Sequence, residues 1–240
     1  DDTWEFDGTD WIFIPTLVAP PARKYNAMAY DEVRQQIVMF GGSAPGTVLL
    51  DDTWTWDGAT WTNKSTAVHP SARFGAAMAF DAARGEVVLF GGVGLDDTWR
   101  WNGSEWKEAT NATRPPGRGF CQLSDDRERQ RLVMFGGSAV PNYNDTWEWD
   151  GTDWLKRTPA TSPPAEIFYP MAYSETAKRT LFVAGTHGTW QWDGTDWSQL
   201  PTRTTDVPGP LMQYDPDAAS FVLFGGQTTG GAYVDDTYRV

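Results

Sequence analysis

Thr53-Trp54-Thr55-Trp56-Asp57-Gly58-Ala59-Thr60-Trp61 is the stretch whose reading decides the fold. The same phrase, Thr-Trp-x-Trp-Asp-Gly-x-x-Trp with small variations, returns at residues 98–106, 146–154 and 189–197. A copy at residues 3–11 has Phe6 for its middle tryptophan, and a cut-off copy, Thr237-Tyr238-Arg239-Val240, ends the chain. All 14 tryptophans of the 240 residues fall inside these copies, which recur every 43 to 50 residues. A period in that range means a repeat architecture. A residue that recurs in every unit serves the scaffold first, so the tryptophans read as core before they read as a binding surface.

Working outward from the phrase gives four strands per unit. Residues 24–30 form a short mixed apolar segment, strand a. After the polar turn 31–36 comes Ile37-Val38-Met39-Phe40, closed by Gly41-Gly42. An apolar β-prone run between turn signals reads as a strand covered on both faces, strand b. A variable loop leads to residues 53–56, strand c. Asp57-Gly58 is a hairpin signal, and Trp61 opens strand d. The connector Val68-His69-Pro70-Ser71-Ala72 then leads to the next unit. The pattern restarts at Arg73, Arg118 and Glu166. The unit from Pro208 supplies a, b and c only, and the N-terminus supplies c and d only. No segment has a helical period. Four short antiparallel strands per repeat, stacked radially, make a β-propeller blade. Trp54 and Trp56 are two apart on a strand and share one sheet face. Blades pack face to face, so large rings belong between them.

Gly-Gly at 41–42, 91–92, 136–137 and 225–226, followed by Asp-x-Trp and a distal Trp, resembles the kelch repeat; Ala184-Gly185 is a departure. The Asp-Gly-x-x-Trp ending is similar to the bacterial branch of kelch-like proteins. The resemblance implies a propeller that is commonly a binding or scaffolding platform and only sometimes an enzyme. Five a–b pairs, six c segments and five d strands predict an all-β, five-bladed propeller in one domain, 1–240. Its units are about 23–65, 73–109, 118–158, 166–200, and 208–240 completed by 1–14. The ring is then closed by the N-terminal c–d strands joining the C-terminal a–b strands. Residues 235–240 are a surplus c segment. They compete with the N-terminal copy, add a further strand, or belong to a longer propeller.

The formal net charge is -13, from 32 acids and 19 bases. Such a surface repels phosphate backbones and anionic membrane, so neither nucleic acid nor membrane insertion is expected. A protein, a peptide or a glycan is expected instead. Cys121 is the single cysteine and reads as a small core residue. No apolar stretch is long enough to span a bilayer. The composition points to an exported or cell-surface bacterial protein, and a start at Asp1 without Met points to processing or to a piece of something longer. With only His69 and His187, and no metal-ligand spacing, no metal, cofactor or catalytic residue is expected. A monomer is expected, unless the surplus c segment exchanges between molecules.

The b–c loops at 43–50, 93–95, 138–144, 186–188 and 227–234 vary in length, whereas the a–b and c–d turns are uniform. Variation on a shared scaffold marks the b–c and d–a face as the binding face. Arg23, Arg73 and Arg118 precede strand a, with Glu166 and Val207 at the equivalent positions. They read either as a basic socket for a carboxylate at the channel mouth or as residues each paired with a neighbouring acid or carbonyl. Their repetition favours pairing. Tyr25, Phe74, Phe120, Phe168 and Tyr169 stand nearby, and Tyr143 and Tyr233 lie in the longer loops. These ten side chains are the candidate ligand contacts. The doubled acids before the phrase, such as Asp51-Asp52 and Asp96-Asp97, read as capping residues rather than calcium ligands, because once-per-blade acids cannot share one ion. Three functions follow in order: a non-catalytic propeller binding protein or peptide, a lectin-like carbohydrate binder, and a hydrolase or lyase with a carboxylate at the channel mouth. A large apolar patch on the b–c face would favour the first. A perturbed carboxylate in a deep central pocket would favour the third.

Overall fold

A computed structural model of the chain describes residues 2–201, 211–216, 218–226 and 234–239. Thr3–Phe6 (β1) and Trp11–Ile14 (β2) form an N-terminal hairpin. The first blade is Ala27–Asp31 (β3), Gln36–Ala44 (β4), Val48–Trp56 (β5) and Trp61–Asn63 (β6). The second is Ala77–Asp81 (β7), Glu86–Gly92 (β8), Leu95–Trp101 (β9) and Trp106–Glu108 (β10). The third is Gln122–Asp126 (β11), Arg131–Phe135 (β12), Thr146–Trp149 (β13) and Trp154–Arg157 (β14). The fourth is Met171–Ser174 (β15), Arg179–Val183 (β16), Thr189–Trp192 (β17) and Trp197–Gln199 (β18). The fifth has Leu211–Asp215 (β19), Ser220–Phe224 (β20) and Thr237–Arg239 (β21). Every sheet is antiparallel and runs a, b, c, d in space as in sequence. Successive a strands lie side by side from β3 through β7, β11 and β15 to β19. The chain is therefore an all-β, five-bladed propeller with strands a lining a central channel.

The blades interlock large face against small. Met78, Phe80, Val87 and Leu89 of the second blade pack on Ala27, Val38 and Phe40 of the first, with Trp99, Trp101 and Trp106 in the same buried cluster. The distal tryptophan of each copy also reaches back one sheet. Trp61 Nε1 donates to Thr3 Oγ1, Trp106 to Thr53, Trp154 to Thr98, Trp197 to Thr146 and Trp11 to Thr237, all at 2.8–2.9 Å. The repeated Thr and Trp are thus two halves of one inter-blade hydrogen bond. Gly-Gly has a similar role. A Cβ on Gly41 would lie 2.8 Å from the Arg73 carbonyl oxygen of the next blade, and one on Gly91 would lie 2.7 Å from that of Arg118. The backbones touch there, and Gly42 N–H donates to Arg73 O at 2.8 Å.

One expectation about closure needs correcting. β20 pairs with β21 and not with the N-terminal copy, so residues 1–14 do not complete the sheet of 208–240. The hairpin β1–β2 closes the ring as a separate two-stranded sheet between the last blade and the first. Trp11 packs on Phe224 with centroids 4.4 Å apart, and Arg239 Nη2 donates to Gly8 O. β21 takes the place beside β20, which it follows directly in the chain, whereas β1 stands with β2 at the next position round the ring.

Candidate binding site

The three arginines are clamps, not an open socket. Arg23 makes a two-pronged bond to Asp52, with Nη1–Oδ1 at 2.6 Å and Nη2–Oδ2 at 2.8 Å, and Nη1 also donates to Gly41 O. Arg73 grips Asp97 at 2.6 and 2.7 Å and donates to Gly91 O. Arg118 grips Asp145 at 2.5 and 3.2 Å and donates to Gly136 O. All three side chains are buried. The acids also accept the indole N–H of Trp54, Trp99 and Trp147. So the second acid of each doublet caps side chains rather than loop amides. Burial works against the charge of these carboxyls, but the arginine, indole and backbone bonds together outweigh it and hold each below its ordinary value. The anion socket is therefore excluded for these residues, because their donors are committed within the blade. Where the arginine gives way to Glu166, Gly188 stands in the acid's place, and Glu166 meets His187 Nδ1 at 3.0 Å instead.

The aromatic candidates divide. Tyr25, Phe74, Phe120 and Phe168, from four different blades, converge. Phe120 lies 5.4, 5.9 and 4.5 Å from the other three in that order, and Tyr25 and Phe168 are 6.4 Å apart. Non-neighbouring blades can meet at that distance only across the axis, so the four rings cap the channel on the b–c side. Tyr25 and Phe168 stay 45% and 40% exposed. The backbone at Tyr25, Gly75, Phe120 and Phe168 is left-handed, with φ of 58°, 67°, 56° and 66°. Bulky residues adopt this conformation only where the surroundings hold it. Gly75 N–H donates to Tyr25 O, and Phe120 N–H donates to Gly75 O, which ties blade to blade beneath the rings. Tyr169 does not join them and packs against the fourth blade's core. Tyr143 lies flat over the Arg118 guanidinium, 3.8 Å from its centroid, and so is occupied. Tyr233 lies outside the described residues.

Below the cap the channel holds a cavity of about 760 Å³ that opens toward the a–b turns. Its rim carries Tyr30, Phe80, Tyr173 and Tyr214 at matching strand-a positions, and Asp125 where the third blade breaks the aromatic series. Asp125 Oδ1 is buried without a hydrogen-bond partner, and Oδ2 accepts only the Ala82 amide, at 3.3 Å. Burial, and then the charges of Asp81 and Asp126, push its carboxyl up to about 7. Arg127 Nε is 3.6 Å away, beyond hydrogen-bond reach, and its other nitrogens are held by Glu32 and Glu175. Sequence reasoning missed Asp125. The signal was an acid in a column otherwise filled by rings. Cys121 is inert: burial pushes its thiol up to about 12. No group of three or more metal-ligating side chains occurs among the described residues.

No family model matches the chain, and no curated protein matches it. Among solved structures, one of YjhT is similar, with a TM-score of 0.74 over 99% of this chain and 87% of that one, at 14% identity. A likeness at that identity shows the fold alone, a β-propeller.

Proposed function

We propose that the chain is a kelch-type, non-catalytic propeller that receives a protein or peptide on its b–c and d–a face. One observation carries this reading. Of the large apolar side chains in loops that are exposed, Leu17, Val18, Val68, Val93 and Val140 sit on b–c loops or d–a connectors, the side on which Tyr25 and Phe168 cap the channel, and Val33 sits on an a–b turn. The charged candidates on that side are internally paired. Exposed apolar surface around aromatic anchors is what a protein partner recognises. The Gly-Gly contact between blades supports the kelch typing.

The test is to pan a peptide library on the protein and on the double variant Tyr25→Asp/Phe168→Asp. Both rings are exposed, so the fold should survive. Selected peptides should lose affinity about tenfold or more in the variant. Undiminished binding would move the site elsewhere. Glycan-array binding without peptide hits would favour the lectin-like reading.

A second reading, a hydrolase or lyase, is supported by Asp125, a carboxyl poised near neutrality in the channel. Such an activity should follow a pH profile with an inflection near that value and vanish in Asp125→Asn.

A further inference from the structure

The a–b mouth of the channel holds a group of charges on the side away from the peptide face. Arg127, on the a–b turn of the third blade, reaches Glu32 of the first blade with Nη2 and Glu175 of the fourth with Nη1. Its guanidinium therefore lies across the mouth, held by carboxylates of two other blades. Asp125 stands beside it, with Oδ2 3.6 Å from Nε. All four line the cavity of about 760 Å³, and Arg127 is the one lysine or arginine among the described residues that do so. Three carboxyls thus surround one guanidinium, in a protein whose net charge is -13. That field repels an entering anion and draws in a cation.

Asp125 is the group that such a cation satisfies. Its side chain is 12% exposed, and Oδ1 is buried with no hydrogen-bond partner. Burial has removed water from an oxygen that no donor of the chain replaces, which costs free energy until a ligand supplies one. An ammonium or guanidinium group brings N–H donors and charge together. The walls suit the rest of such a ligand. Tyr30, Phe80, Tyr173 and Tyr214 put rings at the matching positions, and Tyr30 is half exposed. Aromatic rings attract cations and cover apolar groups. Met78, Leu123 and Met171, each two residues further from the mouth along strand a, add an apolar floor.

We propose that this mouth is a binding site for an organic cation, an ammonium or guanidinium group on a small apolar body, which pairs with Asp125 and competes with Arg127 for Glu32 and Glu175. The site does not depend on the peptide reading of the opposite face. Around Asp125 stand Asp81 and Arg84 of the second blade, Asp126 and Arg127 of its own, Glu32 and Tyr30 of the first, Glu175 and Tyr173 of the fourth, and Tyr214 of the fifth. Neither histidine lines the cavity. Burial, then Asp81 and Asp126, keep the Asp125 carboxyl protonated up to about pH 7. A cation therefore gains its full partner only above that value, and below it drives off a proton as it binds.

The probe is 2-phenylethylammonium chloride, an alkyl ammonium that stays charged throughout this range. Calorimetric titration should show saturable, one-to-one binding, about tenfold tighter at about pH 8 than at about pH 6. Asp125→Asn should weaken binding about tenfold at the higher pH and flatten the pH dependence, while Arg127→Gln should strengthen it severalfold by freeing Glu32 and Glu175. Circular dichroism checks that each variant is folded. Absence of saturable binding by the folded protein would overturn the proposal, as would equal binding of uncharged 2-phenylethanol. So would ammonium binding that neither pH nor Asp125→Asn changes. Tighter binding of benzoate, lost in Arg127→Gln, would overturn it as well, because the mouth would then be an anion site.

Discussion

The indole Nε1 of Trp106 donates to Thr53 Oγ1 at 2.8 Å, inside the seam between two blades, where both residues are buried. Water cannot reach the seam to replace the threonine. Thr53→Val keeps the shape and removes the acceptor, which strands an N–H. The expected cost is about 1–3 kcal/mol, read from urea unfolding. Thr98→Val should behave alike, since Trp154 donates to Thr98 at 2.9 Å. Losses below about 0.5 kcal/mol at both sites would mean that the bond adds nothing beyond the packing.

Arg73 and Asp97 make a testable clamp. Arg73→Met leaves the Gly91 carbonyl without this donor and the partly buried Asp97 carboxylate with the Trp99 N–H but no cation, and should cost about 3–5 kcal/mol at neutral pH. The pH dependence has a definite sign. Asp52, Asp97 and Asp145 titrate below the ordinary 3.8 when folded. Their stabilisation is complete above that value and is lost as pH falls through the lower folded values. The gap between wild type and Arg73→Met should therefore narrow as pH falls below 3.8. A gap that stays constant over this range would show that Asp97 is not the partner that matters.

The repeat made most of this architecture legible. Thr, Trp and Gly-Gly recur because each blade meets its neighbour in the same way, so one unit read correctly gives the rest. The clamps were harder to see, because Arg23 and Asp52 are 29 residues apart and local patterning does not join them. The clue lay between repeats: Glu166 replaces the arginine in the one blade where Gly188 replaces the acid. Closure was not legible, because residues 3–6 and 237–239 are near-equal copies of strand c and nothing in their patterning says which one lies beside β20. The cap of Tyr25, Phe74, Phe120 and Phe168 was visible as a set of residues. That they meet across the axis depends on the radius of the ring, which sequence does not carry.

Gly75 is where the cap tests its own packing. A Cβ there would fall 2.9 Å from the Phe120 ring, on a backbone already at φ +67°. Gly75→Ala should destabilise by about 1–3 kcal/mol and displace Phe120, while Ala76→Gly beside it should not move the ring. Near-ultraviolet circular dichroism reads the rings, and thermal melting reads the stability. An unchanged spectrum at full stability would mean that the cap is loose.

Asp125 is the residue whose titration separates a structural defect from a functional group. Its carboxyl is pushed from an ordinary 3.8 up to about 7, first by burial and then by Asp81 and Asp126, against Arg84 and the Ala82 amide. Arg127 faces it from 3.6 Å but is shared with Glu32 and Glu175. A raised folded value means that the unfolded chain ionises first as pH rises. Between 3.8 and about 7 the native state holds the extra proton, so stability falls with rising pH and then levels. Asp125→Asn removes that slope and should stabilise the protein at about pH 8 by roughly 2–4 kcal/mol. A stabilising substitution at a rim position is the pattern of a group kept for function at a cost in stability. If Asp125→Asn is instead destabilising at that pH, Asp125 is an ionised partner of Arg127, and the hydrolase or lyase reading loses its proton donor.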